Sequence, residues 1–408
     1  MLVQKFGGSS LKNPERIGAV ADRVAATAER QPLVVVVSAM GDTTDHLIDL
    51  ARDIAPTPER REIDMLLATG EQVSASLLAM ALHARGRPAI SLTGWQAGIR
   101  TDQIFGSARI REIAVDRLRH ELDNGRVPIV TGFQGIAADT GWDEVTTLGR
   151  GGSDATAVAL AAGLGAACHI YTDVAGIYTA DPRVEPRARK LPTISYEEML
   201  ELSQYGAQVM MPRSVELAQI WHVPLEVRSS YTDETGTRIE GAMEYAQRVA
   251  GVAHQRNVAK VTLVHLADRP GVAHAVFAAL AERHVNADLI VQNMGFEGYA
   301  DLSYCVPATD LGSALEATHL VRERVGARDV LVKENLAKVS VVGAGLSSGA
   351  GYAATMFGTL ADLGINIDMI STSGVRITCV IEGDEVERAV RGLHEAFHLE
   401  AEAWEASA

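Results

Sequence analysis

Residues 146–154 read Thr146-Thr147-Leu148-Gly149-Arg150-Gly151-Gly152-Ser153-Asp154 and lead into an apolar segment, 155–167. The stretch places a fixed cation, two consecutive glycines, a hydroxyl and a carboxylate at the start of a predicted helix. Glycine lets backbone N–H groups approach an anion closely, and the first turn of a helix offers free N–H donors at its positive end. The pattern therefore predicts a site for a phosphate or a carboxylate. Taken alone, it is equally typical of a turn that only packs a helix tightly against a strand.

Outward from this stretch, the first half of the chain alternates between short apolar runs and helical periodicity. Strands are predicted at 2–6, 33–38, 89–92, 127–131 and 168–172, and helices at 14–30, 45–53 and 63–85. The continuously apolar run 33–38 is typical of a strand buried on both faces of a parallel sheet. Ligands bind at the carboxyl ends of the strands in such sheets. We therefore expect a group of residues at or beyond those ends to converge on one edge: Lys5, Ser38, Phe133 and Thr172.

Composition restricts the class of protein. A chain of 408 residues is too long for one core, so two or three domains are expected. The net charge of −15 and the lack of a long basic run argue against nucleic acid and anionic membranes as partners. Three separated cysteines, Cys168, Cys305 and Cys379, lie in or beside apolar segments and predict buried thiols in a reducing compartment. Met1 leads directly into a predicted strand, and we expect a cytoplasmic protein.

Further segments occur in a fixed order along the chain. They are Val3-Gln4-Lys5-Phe6-Gly7-Gly8-Ser9-Ser10, residues 37–45 (VSAMGDTTD), residues 67–71 (LATGE), residues 132–135 (GFQG) and residues 171–183 (YTDVAGIYTADPR). Together with residues 146–154 they resemble the aspartate kinases of the amino-acid kinase superfamily. The resemblance covers essentially the whole chain. It implies a three-layer α/β sandwich with a mostly parallel central sheet, followed by two α+β ACT domains.

An internal repeat supports the second part of this expectation. Residues 259–264 (AKVTLV) are echoed by 337–342 (AKVSVV), and residues 284–290 are echoed by 364–370. Two copies with a period of roughly 80 residues suggest paired small α+β modules. We place the domains at 1–245 for the kinase, 250–332 for the first ACT domain and 335–408 for the second. In the family such modules pair within and between chains, so the resemblance implies a homo-oligomer.

The activity that the resemblance implies is ATP-dependent phosphorylation of the L-aspartate side chain to 4-phospho-L-aspartate. This is the first step towards lysine, threonine and methionine, and the ACT domains imply feedback control by threonine, lysine or both. The attacking carboxylate has an ordinary pKa of about 4, so it is already ionised and needs no general base. Phosphoryl transfer requires positioning and charge neutralisation instead. Mg²⁺ is expected to arrive with ATP, and no resident metal site is predicted.

The resemblance also assigns roles to residues. Lys5, Gly8 and Asp154 are the predicted catalytic residues, with Asp154 organising Lys5. The predicted aspartate pocket consists of Ser38, Thr44, Glu71, Phe133, Arg150 and Ser153, in which Glu71 holds the α-ammonium and Arg150 the α-carboxylate. The predicted ATP contacts are Lys5, Gly7, Gly8, Ser9, Thr172, Asp173, Tyr178, Arg183 and Gln208. The predicted effector contacts are Asp268, Gly271, Asn286, Asp288, Gln292, Asn293, Asn366 and Ser371.

Plain structural alternatives accompany several of these roles. Thr44 is also a suitable helix N-cap, and Glu71 is also compatible with a solvated helical charge. Arg150 and Asp154 would suit a local ion pair. Asp181-Pro182-Arg183 would suit an ordinary turn.

Two positions depart from the family pattern. Gln208 stands where the family usually has a lysine near the ATP phosphates, which predicts weaker ATP binding or lower turnover. Gly374 follows Ser371-Thr372-Ser373 where relatives commonly carry glutamate, which predicts altered feedback control or only a changed turn.

Three competing functions remain open at this point. A kinase for another small acid, such as glutamate, would use the same site. The loss of the lysine at Gln208 favours a weakened kinase domain retained for its amino-acid sensors. His394-Glu395-Ala396-Phe397-His398 fits the H-E-x-x-H signature of zinc hydrolases, with both histidines on one helix face, but no third ligand stands out.

Overall fold

The structure, a computed structural model, describes residues 1–137, 141–206, 209–241, 249–294, 298–347 and 351–401. These residues form two compact units. The first unit contains residues 1–178, 190–204 and 209–241. The second contains residues 179–189, 205–206 and 249–401. Segment 179–189 thus interrupts the first unit in sequence and packs as part of the second.

The first unit alternates strands and helices along most of its length. Its strands are β1 Leu2–Phe6, β2 Leu33–Val37, β3 Ala89–Leu92, β4 Ile99–Thr101, β5 Ile110–Ile113, β6 Val127–Thr131, β7 Gln134–Ala137, β8 Glu144–Thr147, β9 Ala167–Thr172, β10 Thr193–Ser195, β11 Leu225–Ser229 and β12 Thr237–Glu240. Its helices are α1 Pro14–Ala28, α2 Thr43–Ile54, α3 Arg60–His83, α4 Asp116–Asp123, α5 Gly152–Leu164, α6 Tyr196–Gln204 and α7 Pro212–Ile220. A 3-10 turn, Gly8–Leu11, follows β1.

The main sheet of this unit is mostly parallel, as predicted. Its strand order is β10-β12-β11-β9-β1-β2-β6-β3, and only the β11–β12 pair is antiparallel among its described neighbours. Every residue of β1 and β2 is buried, which explains their continuous apolar sequences. Because β9, β1, β2 and β6 are consecutive neighbours, their carboxyl ends lie side by side. A smaller sheet has the strand order β5-β4-β7-β8. The turn that carries Arg150 follows its strand β8.

Two helices of this unit matter for the site. Helix α5 is almost entirely buried, and its Ala-rich sequence lets it pack closely among neighbouring elements. Gly151 caps its N-terminus in the left-handed conformation (φ 70°), and a Cβ there would overlap the Met211 side chain. Helix α3 is long and apolar enough, by length and composition, to cross a membrane. Half of its most apolar window is buried inside the unit, and its buried face includes Asp64 and Glu71, which indicates a core helix.

The second unit is built on one antiparallel sheet. Its strands are β13 Gly251–Ala267, β14 Asp288–Met294, β15 Tyr299–Pro307, β16 Asp329–Val342, β17 Met369–Thr372 and β18 Arg376–Glu382, in the order β14-β15-β13-β16-β18-β17. Its helices are α8 Val272–Glu282, α9 Leu311–Val325, α10 Tyr352–Asp362 and α11 Val386–Ala396. The two sequence repeats occupy the two halves of this sheet.

The two repeats are joined along β13 and β16, which are long enough to serve both halves. Residues 251–255 of β13 pair with 338–342 of β16, whereas residues 260–264 pair with 329–333. Val249 and Val252 accordingly belong to the hydrophobic core of the second repeat. A reciprocal pair of ion pairs crosses the join: Lys260 of the first repeat contacts Asp368 at 2.8 Å, and Lys338 of the second contacts Asp288 at 2.5 Å. These four residues occupy equivalent positions in the repeated sequence.

The three cysteines are buried and free, as predicted. Burial raises the pKa of Cys305 and of Cys379 to about 12, and it raises that of Cys168 as well. These thiols are therefore protonated at neutral pH and behave as small apolar side chains.

Candidate active site

The corner between β1 and β2 supplies the first part of the site. Lys5 lies in β1 and is 9% exposed, so its ammonium is held at a defined place. Gly8 follows β1, and a Cβ there would come within 2.9 Å of the Ala39 carbonyl oxygen. Only glycine therefore lets the turn after β1 approach the turn after β2 this closely. Within the described residues, the Gly8 N–H has no hydrogen-bond partner.

Helix α3 presents a carboxylate to the same corner. Glu71 is 3% exposed, and its Oε1 accepts a hydrogen bond from the Ala39 N–H at 3.1 Å. Its Oε2 is buried and has no partner among the described residues. Burial raises the pKa of Glu71 to about 7, and the backbone hydrogen bonds only partly oppose that rise. A buried carboxylate oxygen without a donor is suited to receive a cationic group from a ligand. The solvated-charge alternative for Glu71 is wrong.

The start of helix α5 supplies the third part. Asp154 lies in its first turn, and its Oδ1 is 2.5 Å from Lys5 Nζ, with both side chains about nine-tenths buried. Asp154 therefore pairs with Lys5, and the alternative of a local Arg150–Asp154 ion pair is wrong. Arg150 lies in the preceding turn, is exposed, and has no ion-pair partner among the described residues. Its guanidinium is available to an anion.

These parts enclose one cleft of about 490 Å³. Ten of the predicted residues line it: Lys5, Gly7, Gly8, Ser38, Thr44, Glu71, Phe133, Arg150, Ser153 and Asp154. The cleft combines two cations, a buried carboxylate with a vacant acceptor, and glycine-rich turns. It therefore suits a ligand that carries both an ammonium and anionic groups.

The other predicted ATP contacts that the structure describes do not line this cleft. Thr172 ends β9, beside β1, and its hydroxyl donates to Asp173 Oδ1 at 3.1 Å. Ser9 lies in the 3-10 turn, and Tyr178 forms an isolated bridge with Lys190. Gln208 lies outside the described residues.

The family resemblance implies that the backbone N–H groups of Gly7 and Gly8 both donate to the phosphates of ATP, and for Gly7 this expectation is wrong. The N–H of Gly7 donates to the Tyr171 carbonyl oxygen at 3.2 Å, which extends the pairing of β1 with β9. It is therefore already used and does not offer a donor to a phosphate. The Gly8 N–H remains available.

Two structural alternatives can now be assessed. Thr44 is not the N-cap of α2, because the helix begins at Thr43 and Asp42 occupies the cap position. Arg183, in contrast, fits the turn interpretation, since its backbone N–H and its guanidinium both bond to Asp181. Both residues of this pair belong to the second unit.

Sequence reasoning missed Asp64. This residue is fully buried on α3, lines the cleft, and accepts hydrogen bonds from the backbone N–H groups of Gly106 and Thr147 and from the Thr147 hydroxyl. Its signal was present in the sequence, because it lies seven positions before Glu71, and that spacing puts both carboxylates on one helix face.

Comparison with known proteins identifies the family. Residues 1–229 match the amino acid kinase family, and residues 339–397 match the ACT domain. The chain is similar to the aspartokinase of Mycolicibacterium smegmatis, with 48% identity over 407 residues that span 98% of this chain and 96% of that protein. The chain belongs to the aspartokinases of the amino acid kinase family.

Solved aspartokinases share the fold. E. coli aspartokinase III in complex with aspartate and ADP is 28% identical, with a TM-score of 0.81 over 98% of this chain and 100% of that one. The same protein in complex with lysine and aspartate is 27% identical, with a TM-score of 0.77 over 97% and 99%. As an aspartokinase, the chain phosphorylates the side-chain carboxylate of L-aspartate with ATP and is subject to allosteric control.

The residues that the aspartokinase resemblance assigned to effectors lie in both repeats of the second unit, and Asn286 and Asn366 occupy equivalent places. Gly271 caps α8 with φ 94°, and Gln292 and Asn293 lie in β14. Asn286 and Asn366 are exposed in the loops before β14 and β17, and Ser371 lies in β17. The Asp268 N–H bonds to Gly298, and the Asp288 carboxylate pairs with Lys338. Gly374 lies in the turn between β17 and β18, where a Cβ would meet open space.

The zinc-hydrolase signature is explained by other contacts. Helix α11 ends at Ala396, and His398 has a positive φ of 53°, so the two histidines do not share a helix face as expected. His394 is fully buried, and its Nε2 is 2.9 Å from the Thr179 hydroxyl. No group of three or more potential metal ligands occurs in the part of the chain that the structure describes. In this aspartokinase the motif is a packing element of the second unit.

Proposed function

We propose that the cleft binds L-aspartate beside the γ-phosphate of ATP, with the two charged groups of its α-carbon held by different elements. Glu71 receives the α-ammonium on its vacant Oε2. Arg150 holds the α-carboxylate through its planar, two-pronged guanidinium. Ser38, Thr44, Phe133 and Ser153 complete the pocket around the side chain. The observation that carries this assignment is the buried, half-satisfied carboxylate of Glu71 in the same cleft as Arg150 and the Lys5–Asp154 pair.

Transfer then needs no proton movement at the nucleophile. An oxygen of the aspartate β-carboxylate attacks the γ-phosphorus as the bond to the bridging oxygen of ADP breaks, which yields 4-phospho-L-aspartate and ADP. Lys5 neutralises the charge on the moving phosphoryl group, and Asp154 fixes the direction of its ammonium. The free N–H of Gly8 donates to the same phosphate oxygens.

The part of ATP beyond the γ-phosphate is assigned to the sheet edge next to this cleft. Thr172 and Asp173, at the end of β9, and Ser9 lie next to β1 in the fold and suit the ribose or phosphate groups of ATP. Tyr178, Arg183 and Gln208 stay predictions that rest on the family pattern. Mg²⁺ is assigned to the phosphates and water that come with ATP.

Regulation is assigned to the second unit, with ACT domains at 250–332 and 335–408 following a kinase domain at 1–245. Because E. coli aspartokinase III was solved with lysine, lysine is the effector to test first, followed by threonine, which rests on the family pattern. A single chain leaves β14 and β17 as the outer strands of the described sheet, so pairing of units between chains would cover them and produce a homo-oligomer. We assign the protein to the cytoplasm.

The decisive experiment measures ADP formation with Mg²⁺ATP and a series of acceptors: L-aspartate, L-glutamate and N-acetyl-L-glutamate. Hydroxylamine trapping of the acyl phosphate identifies the product. We expect a product with aspartate, and at low aspartate concentration its rate of formation should fall strongly in Arg150→Ala. Greater activity with glutamate would favour a kinase for another acid, and no acyl phosphate at all would favour a sensor with a silent kinase domain.

A further inference from the structure

The turn between β8 and α5 carries Arg150, yet the Arg150 side chain has no protein partner of its own among the described residues. The position of its guanidinium therefore depends on the backbone of residues 147–152. Arg213 holds this backbone from one side, since its guanidinium donates to the carbonyl oxygens of Leu148 at 2.9 Å and Ala108 at 2.8 Å. The other side is held by Asp64.

Asp64 binds two separate loops at once. Its Oδ2 accepts from the Gly106 N–H at 2.9 Å and from the Thr147 N–H at 2.8 Å, and its Oδ1 accepts from the Thr147 hydroxyl at 2.7 Å. Gly149 also lies close to this loop, because a Cβ built on Gly149 would be 3.1 Å from the Gly106 carbonyl oxygen. Asp64 thus joins the loop at Gly106 to the last residue of β8, three residues before Arg150.

The contacts are strongest with a carboxylate. All three partners donate to it, and an ionised carboxylate is an acceptor at both oxygens. An asparagine could keep both N–H contacts at its Oδ1 and donate from its N–H₂ group to the Thr147 hydroxyl, which also accepts, but it removes the negative charge that strengthens all three hydrogen bonds. Protonation of Asp64 removes the same charge. Burial raises the pKa of Asp64, and the three donors oppose that rise.

We propose that Asp64 is a positioning residue for aspartate binding, which acts by fixing the turn that aims Arg150 at the substrate α-carboxylate. Helix α3 then serves both charged groups of the α-carbon: Glu71 contacts the ammonium directly, and Asp64, two turns earlier, positions the turn whose Arg150 holds the α-carboxylate. This inference rests on the role of Arg150 in the proposed function.

The test is a double-mutant cycle on the KM for aspartate at saturating ATP. Asp64→Asn should raise this KM by about ten-fold, change kcat by less than about three-fold, and leave the KM for ATP unaltered. Arg150→Ala should raise it by about ten- to a hundred-fold, as expected for loss of a charge-assisted contact. In the Arg150→Ala background, Asp64→Asn should add less than about two-fold, because the clamp that it positions is absent. Glu62→Gln, an exposed carboxylate on the same helix, should change none of these values.

A second pair of variants tests the same contact if Asp64→Asn does not fold. Thr147→Val removes one donor to Asp64 and should raise the KM for aspartate by about three- to five-fold, whereas Thr147→Ser, which keeps the hydroxyl, should recover most of that loss. Equal effects of Asp64→Asn in both backgrounds, or a parallel fall of kcat and of ATP affinity, would overturn this inference but leave the proposed function intact. A normal KM for aspartate in Arg150→Ala would overturn the proposed clamp and the inference with it.

Discussion

Glu71→Gln separates the charge of the substrate pocket from its shape. The amide keeps the volume of the side chain and an acceptor for the Ala39 N–H, but it offers the ligand no negative charge. If Glu71 pairs with the α-ammonium of aspartate, the loss should appear in kcat/KM for aspartate and should depend on pH.

The magnitude follows from two quantities. A hydrogen bond to a charged group contributes about 1.5–3 kcal/mol, which corresponds to roughly a 10- to 150-fold loss of kcat/KM for aspartate when Glu71 is ionised. Because the pKa of Glu71 in the free enzyme is raised to about 7 by burial, the wild-type side chain is ionised at pH 8.5. At pH 5.5 only about 3% of it carries the charge, so wild type and variant should differ by no more than a few-fold.

The assay is kcat/KM for aspartate between pH 5.5 and 8.5 for both proteins at saturating Mg²⁺ATP. Phosphate groups of the nucleotide also titrate near pH 6, but they do so equally with both enzymes, so the ratio of the two profiles isolates Glu71. The exposed Glu62→Gln variant serves as the matched control and should give a ratio near one throughout. A ratio for Glu71→Gln that stays constant with pH, or a normal KM for aspartate at pH 8.5, would refute the pairing.

The stability of Glu71→Gln should change in the opposite direction from its activity. The folded-state pKa of Glu71 lies above its ordinary value of 4.5, so the contribution of this group to stability is present below about pH 4.5 and is lost as pH rises through about 7. At roughly 1.4 kcal/mol per pKa unit, the loss amounts to roughly 3 kcal/mol at pH 8.5. Thermal or urea unfolding should therefore show Glu71→Gln gaining stability relative to wild type as pH rises from 5 to 8.5. A difference that does not change over this range would mean that the apoprotein does not hold a destabilised carboxylate there.

Three further predictions concern other positions. Gln208→Lys should raise kcat/KM for ATP in a coupled assay, since it restores the cation that relatives place near the phosphates; an unchanged value would show that this position does not limit the enzyme. Asp288→Asn should lower the melting temperature more than Lys338→Met does, because Lys338 is 2% exposed and loses its carboxylate partner, whereas Asp288 is 39% exposed and can turn to water; the reverse order in calorimetry would contradict this. Burial lowers the pKa of His394, so its contribution to stability is present above the ordinary value of 6.5 and is lost as pH falls, and His394→Gln should flatten the acid side of the unfolding profile.

The parts of the fold that sequence predicted well are those determined by local pattern. The apolar runs of β1 and β2 predict strands, and the periodicity of α1 and α3 predicts helices. The alternation of strands and helices then predicts a parallel sheet. The neighbouring carboxyl ends of β9, β1, β2 and β6 then bring Lys5, Ser38 and Phe133 together, as predicted.

Other features depend on tertiary register, which local pattern does not contain. The Gly7 N–H is used by Tyr171 only because β1 pairs in register with β9. The two histidines of the H-E-x-x-H motif do not share a helix face, because α11 ends at Ala396, before His398. Segment 179–189 continues a predicted ATP motif in sequence but packs with the second unit, where Thr179 meets His394. None of these outcomes follows from composition or spacing.

The two buried carboxylates of α3 show how burial distinguishes a structural charge from a functional one. Both residues lie on the same helix face, and each is removed from water, which is costly unless donors replace the lost hydration. Asp64 has such donors at both oxygens and therefore has no need of a ligand. Glu71 has one oxygen satisfied by Ala39 and one with no donor among the described residues. The protein thus holds at Glu71 a destabilised carboxylate that a cationic ligand in the cleft would satisfy. In the proposed binding mode the same helix also fixes the Arg150 turn through Asp64, so the energy recovered at Glu71 on binding would be available to orient the whole amino acid for transfer.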